Sequence, residues 1–132
     1  MNLPGFENIP GLSSRMIDKI PQLITGLIRH PVNDPVYSAE MEKGLGVTGP
    51  EIRAAISYLR TLRLPIGSGA NGYFWAKWVS DLSSTIQHLE GRATRIRRTA
   101  DGLKSAYCGM TIVAQVLTYL DGIKDKQQDL NL

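Results

Sequence analysis

The segment Gly46-Val47-Thr48-Gly49-Pro50-Glu51 stops one helix and starts another, and it constrains this chain more than any other stretch. Gly44 and Gly46 suit a C-terminal turn, since glycine enters the left-handed backbone region without a Cβ clash. Thr48 and Glu51 form the S/T-x-x-E capping box, and Pro50 is tolerated in a first helical turn. Upstream, Ser38 is the expected N-cap of a short helix over 38–45, with Met41 and Leu45 on one side. Downstream, the spacing predicts a helix over 49–62. Ile52, Ala55, Ile56, Leu59 and Leu62 share one face, and Arg53, Ala54, Ser57, Arg60 and Thr61 the other. Two helices joined by so tight a turn, the second basic on its outer face, make a helix-turn-helix.

The glycines then concentrate over 67–72. Two short apolar pieces, 64–66 and 73–76, flank Gly67, Ser68, Gly69, Ala70, Asn71 and Gly72. Asn-Gly between β-favouring residues is a strong hairpin signal. A hairpin directly after the second helix of a helix-turn-helix is the wing of a winged helix.

Residues 36–76 resemble a winged helix-turn-helix of the biotin-repressor N-terminal type, as found in small phage and prophage proteins. The resemblance is carried by Ser38, by Leu45-Gly46-Val47-Thr48 at the turn, by Ile52, Ile56 and Leu59-Arg60, and by Gly72-Tyr73 on the wing's return strand. Pro65-Ile66 and Gly67-Ser68-Gly69 match the phage-borne form. Arg63-Leu64 departs from the pattern, because the family often carries glycine before the wing. No biotin-ligase region follows, so the resemblance implies only the DNA-binding module.

The rest of the chain is expected to be helical. Pro4, Gly5, Pro10 and Gly11 mark residues 1–16 as an irregular arm. Ile17, Ile20, Ile24, Leu27 and Ile28 recur at helical spacing, and a helix over 20–30 beginning at Pro21 and stopped by Pro31 is the expected leading helix. Beyond the wing, with Ser80 as expected N-cap, helices are expected over 80–108 and 110–126. Leu82, Ile86, Leu89, Ala93, Ile96, Ala100, Leu103, Tyr107 and Met110 step by four and three without a break, a heptad seam. Val113, Val116, Leu117, Leu120 and Ile123 stripe the last helix. The fold class is therefore mainly α: a winged helix-turn-helix (three helices plus a β-hairpin wing, residues 17–78) followed by a two-helix C-terminal extension over 79–132. That extension is a candidate dimerisation element, its seam pairing within one chain or between two in a homodimer.

Charge is uneven. The net +3 is the sum of −1 over residues 1–49, +5 over 50–104 and −1 over 105–132, so the middle would meet an anionic partner. In a helix-turn-helix the N-terminal half of the second helix enters the major groove. Gly49, Pro50 and Ala54 are small enough for close approach, Arg53 can reach guanine O6 and N7, and Ser57 can touch a base. Phosphate contacts are expected from Arg60, from Ser68, Asn71 and Lys77 on the wing, and from Arg92, Arg95 and Arg98 in a run that also holds Arg97. A solvated helix face is the plainer reading of that run. Tyr73, Phe74, Trp75 and Trp78 suit packing of the wing, although single-stranded bases also stack on such residues.

Several classes are excluded on sequence. The N-terminus lacks a basic region followed by an apolar one, so no signal peptide is expected, and no apolar run is long enough for a membrane span. Cys108 is alone, and His30 and His88 lack metal-ligand spacing, so no disulfide, metal or cofactor is expected. No nucleophile elbow, P-loop or paired carboxylates are present, so no enzyme is expected. The setting expected is reducing and cytoplasmic. Two readings of function remain: a double-stranded DNA binder acting in transcription, replication or packaging, or a small protein-interaction module that docks on a host or defence nucleoprotein complex.

Overall fold

The structure, a computed structural model, describes residues 11–106 and 111–123. It is mainly helical with one antiparallel hairpin. The elements are α1 (Ser14–Ile28), α2 (Ser38–Leu45), α3 (Gly49–Thr61), β1 (Ile66–Gly69), β2 (Gly72–Trp75), a 3-10 helix (Val79–Leu82), α4 (Ser83–Lys104) and α5 (Thr111–Ile123). Three helices and a hairpin in this order form the winged helix, and α4 and α5 follow it.

The leading helix starts well before Pro21. Ser13 caps it, its hydroxyl accepting from the Met16 N–H at 3.1 Å, and Pro21 lies inside α1. A proline there costs about 3 kcal/mol. Burial upstream of it offsets that cost: Met16 and Ile20 are fully buried, at about 1.5–3 kcal/mol each. The buried stripe is Met16, Ile20, Leu23 and Leu27, whereas Ile28 is exposed. Residues 14–16 therefore belong to the first helix and not to an arm.

The turn between α2 and α3 is as expected in chemistry. Gly46 is left-handed, with φ 67°, and both halves of the Thr48–Glu51 capping box are present. Ser38 differs from its expected role. The N-cap of α2 is Tyr37, and Ser38, one residue inside, donates to Glu42 Oε2 at 3.2 Å. The cause lies in the linker before it: Val36 is held extended by paired hydrogen bonds with Tyr73, of 2.8 and 2.9 Å, so the helix begins directly after Tyr37. Ile52, Ala55, Ile56 and Leu59 of α3 are buried against α1, and Leu62, at the C-cap, is exposed.

The wing pairs Ile66 with Trp75 and Gly69 with Gly72, leaving Ala70 and Asn71 as the turn. The turn is thus centred one residue before Asn-Gly, and the positive φ falls on Gly72, at 114°, the residue that follows it. A Cβ on Gly72 would lie 2.1 Å from the Val36 carbonyl oxygen. Glycine is thus what lets the linker add its short bridge to the hairpin. Arg63 is the other special position. Its N–H reaches the Arg60 carbonyl at 2.9 Å, and Leu64 N–H reaches Leu59 at 3.3 Å, the two bonds of a Schellman stop. That stop requires a left-handed residue, and Arg63 takes it with φ 71°.

The chain forms two compact units, residues 1–89 and 90–132. The division falls later than the expected 78/79 because the first turn of α4 is bonded to the wing. Ser80 is not an N-cap; it lies in the 3-10 helix, whose Asp81 carboxylate accepts from the N–H groups of Lys77 and Trp78. Leu82 closes that 3-10 helix and so stands outside α4, while Tyr107, Cys108 and Met110 lie outside the described residues.

Substitution at the two left-handed positions should move stability in opposite directions. Arg63→Gly should stabilise by about 1 kcal/mol, because glycine adopts this conformation without the Cβ penalty. Gly72→Ala should cost about 3 kcal/mol or more, from the clash and the φ together. Urea denaturation of the two variants measures both, and a destabilised Arg63→Gly would contradict the assignment.

Candidate nucleic-acid interface

The outer face of α3 is built from below. Its apolar side is fixed on α1, and its first turn is pinned by Glu51. One carboxylate oxygen of Glu51 accepts from Thr48 N–H at 3.2 Å and from Thr48 Oγ1 at 3.0 Å; the other accepts from Ser13 Oγ at 2.5 Å. Arg15 completes the cluster, its guanidinium paired with both oxygens of Glu51. Hydrogen bonds from Arg15, then from Ser13, hold the Glu51 carboxyl down at about 2, and Glu51 in turn raises Arg15. The negative charge at the head of α3 is thereby occupied within the protein.

The far end of α3 is joined to the wing by Arg60. Its Nε donates to the Ile66 carbonyl at 2.8 Å and its Nη2 to Ser68 Oγ at 3.0 Å. Ser68 continues the chain of bonds. Its N–H donates to Thr85 Oγ1 at 2.9 Å, and that hydroxyl donates to the Ser68 carbonyl at 3.1 Å. Thr85 is buried, and burial pulls the Arg60 guanidinium below its usual range, with Tyr73 opposing. Between strands, Phe74 lies across Gly67, where a Cβ would come within 2.2 Å of its ring. The wing is therefore bracketed to α3 by Arg60, while Phe74 packs across Gly67 within the hairpin itself.

Against this frame the expected contact residues divide. Arg53 and Ser57 are exposed on α3, opposite the buried stripe, and Arg53 makes no hydrogen bond or ion pair among the described residues. Pro50 is exposed beside them, and Ala54 is half-buried. Gly49 is not available as expected: it is buried, with Glu42 and the Arg53 guanidinium directly over its Cα. Arg60 and Ser68 were expected on phosphates and are instead bonded to each other and to the wing backbone. Asn71 is exposed at the wing tip. Lys77 is exposed too, its ammonium 5.6 Å from the centre of the Trp78 ring. Arg92, Arg95, Arg97 and Arg98 are exposed on α4 within the second unit. Of the aromatic cluster, Phe74 is buried and Tyr73 and Trp75 pack on the core, as the packing reading expects, but Trp78 is 65% exposed.

Sequence reasoning missed Arg15, Ser13, Thr85 and the Val36–Tyr73 bridge. Arg15, Thr85 and the Val36–Tyr73 bridge had no local signal, since their partners lie far along the chain, whereas Ser13 had one as the N-cap of α1. Arg63 had one, as the position where a glycine is usual before the wing.

No group of three potential metal ligands and no helix long and apolar enough to cross a membrane occurs among the described residues. By architecture the first unit has the three helices and hairpin of a winged helix, with Arg53 and Ser57 exposed on its second motif helix. Comparison with protein-family models, curated proteins and solved structures finds no match to this chain.

Two outcomes test the cluster and the bracket. Glu51 titrates at about 2 against an ordinary 4.5, so the stability it confers is complete above 4.5 and is lost as pH falls toward 2. Carboxyl-carbon NMR should place its midpoint there, and Arg15→Ala should raise it; an ordinary midpoint in the native chain would contradict the cluster. For the bracket, Arg60→Ala leaves Ile66 and Ser68 without their partner and should cost about 2 kcal/mol or more, with Arg60→Lys recovering only part. Thermal unfolding of the pair reads this, and a neutral Arg60→Ala would remove Arg60 from its bracketing role.

Proposed function

We propose that this protein binds double-stranded DNA through the exposed face of α3, with the wing on the flanking backbone. The observation that carries the reading is Arg53. It projects from the N-terminal half of the second motif helix, on the face away from the core, with no partner among the described residues. In this position a guanidinium reads guanine through two parallel hydrogen bonds to O6 and N7. Ser57 stands one turn further along the same face. Asn71 and Lys77 on the wing, with Arg63 beside it, serve the phosphates. The occupied Glu51 carboxylate supports the reading as well, because a free acid at the head of the helix would repel the duplex. The resemblance of residues 36–76 to biotin-repressor-type winged helices, as found in small phage proteins, points the same way. Regulation of transcription, origin binding and packaging would all use this contact.

A second reading, docking on another protein, is favoured by Trp78 and Val79, which are 65% and 86% exposed at the foot of the wing.

Fluorescence polarisation with labelled duplexes at two salt concentrations separates the two. The DNA reading expects binding that weakens steeply with salt. Arg53→Ala should cost about 1–3 kcal/mol on the preferred duplex and flatten the preference, while Lys77→Ala should weaken all duplexes alike. Absence of binding at low salt would overturn the DNA reading and leave the protein-docking one.

A further inference from the structure

Among the described residues, the apolar stripe of α4 is left largely uncovered. Ile86, Leu89, Ala93, Ile96, Ala100 and Leu103 run along one side of the helix, and Ile96 and Leu103 remain 64% and 74% exposed. The helix also carries Gly91 and Gly102 in its interior, each of which weakens it relative to alanine. A helix of this composition depends on packing to persist in water. Its unbroken four-three spacing fits a helix of the same period.

We propose that the occupant of this stripe is α4 of a second copy, running antiparallel. Two independent features of the sequence on this helix choose the orientation. The first is size. The small residues Ala93 and Ala100 alternate with the large Leu89, Ile96 and Leu103 along the seam. A parallel pair would set Ala93 against the partner's Ala93 and Ala100 against the partner's Ala100, leaving underfilled layers between overfilled ones. With the two-fold axis between Ala93 and Ile96, an antiparallel pair sets Ala93 against the partner's Ile96 and Leu89 against the partner's Ala100. Every central layer then joins one small side chain to one large one, which keeps packing density even.

The second feature is charge. Glu90, Arg97 and Lys104 flank one edge of the seam, and Arg92 and Thr99 the other. Parallel pairing would bring Arg92 beside the partner's Arg97, a repulsion repeated on both sides. The antiparallel register brings Glu90 beside the partner's Arg97, and symmetry makes the pair twice. Flanking charges of this kind set partner choice and orientation in paired helices. The arginine run thus acquires a division of labour: Arg97 faces the second copy, while Arg95 and Arg98 stay free on the outside. This pairing does not depend on DNA binding.

Sedimentation equilibrium of the full chain tests it. The native protein should be dimeric at tens of micromolar. Glu90→Arg should weaken association by about tenfold or more, since two attractions become two repulsions. The double variant Glu90→Arg/Arg97→Glu should restore it to near the native value, and circular dichroism checks that each variant folds. Orientation is read by oxidation of Leu103→Cys in a Cys108→Ser background. The antiparallel register holds the two thiols roughly 25 Å apart at 1.5 Å per residue, so no cross-linked dimer should form. A monomeric native protein overturns the proposal, as does a double variant no better than the single one, or efficient cross-linking at Leu103→Cys.

Discussion

The guanidinium of Arg60 ties the wing to the end of α3 and, through Ser68 and Thr85, to the first turn of α4. The core proper is helical: Met16, Ile20, Leu23 and Leu27 of α1 close on Ile52, Ile56 and Leu59 of α3. Of the wing's side chains only Ile66 is fully buried, with Phe74 nearly so. A two-stranded hairpin with so little apolar anchorage is marginal in water. Arg60 supplies what is lacking by bonding the Ile66 carbonyl and Ser68 Oγ, and Ser68 passes the connection to the buried Thr85. Charge-assisted bonds in a partly dry setting are among the stronger polar interactions available, on the order of 1.5–3 kcal/mol each. The wing, the end of α3 and the first turn of α4 are positioned together as a result.

This arrangement decides which residues are free to act. An arginine committed to its own wing is a poor partner for a phosphate, and Ser68 is committed with it. Gly49 lies beneath Glu42 and Arg53. What remains on the outer face is a short set: Arg53 and Ser57 on the helix, Asn71 and Lys77 on the wing. The excess positive charge of residues 50–104 therefore separates into three uses. Arg60 is structural, Arg53 and Lys77 are left exposed on the outer face, and the α4 arginines belong to the second unit.

Local chemistry was legible in the amino-acid sequence, and distant chemistry was not. Thr48, Glu51 and Gly46 act within a turn of their own positions, so the break between α2 and α3 could be read directly. Gly67 and Gly72 announced a hairpin, although the reason each is glycine, the Phe74 ring and the Val36 carbonyl, appears only in three dimensions. Pro21 misled because its local cost is certain, while the burial of Met16 and Ile20 that offsets it depends on α3. Ser38 misled because the linker before it is fixed from Tyr73, far along the chain. The site shows the same split. That Arg53 and Ser57 lie exposed follows from helical spacing alone, while the diversion of Arg60 to Ser68, and the added pairing of Glu51 with Arg15, follows from contacts that carry no periodic signature.

The central claim is that the free face of α3 reads duplex DNA. Selection of preferred sequences by the intact protein from a pool of random duplexes tests it most directly. The account predicts enrichment of a short motif containing guanine, and loss of the enrichment at that guanine when Arg53 is replaced by alanine. A pool that emerges as random as it entered, at low salt and with folded protein, would contradict it.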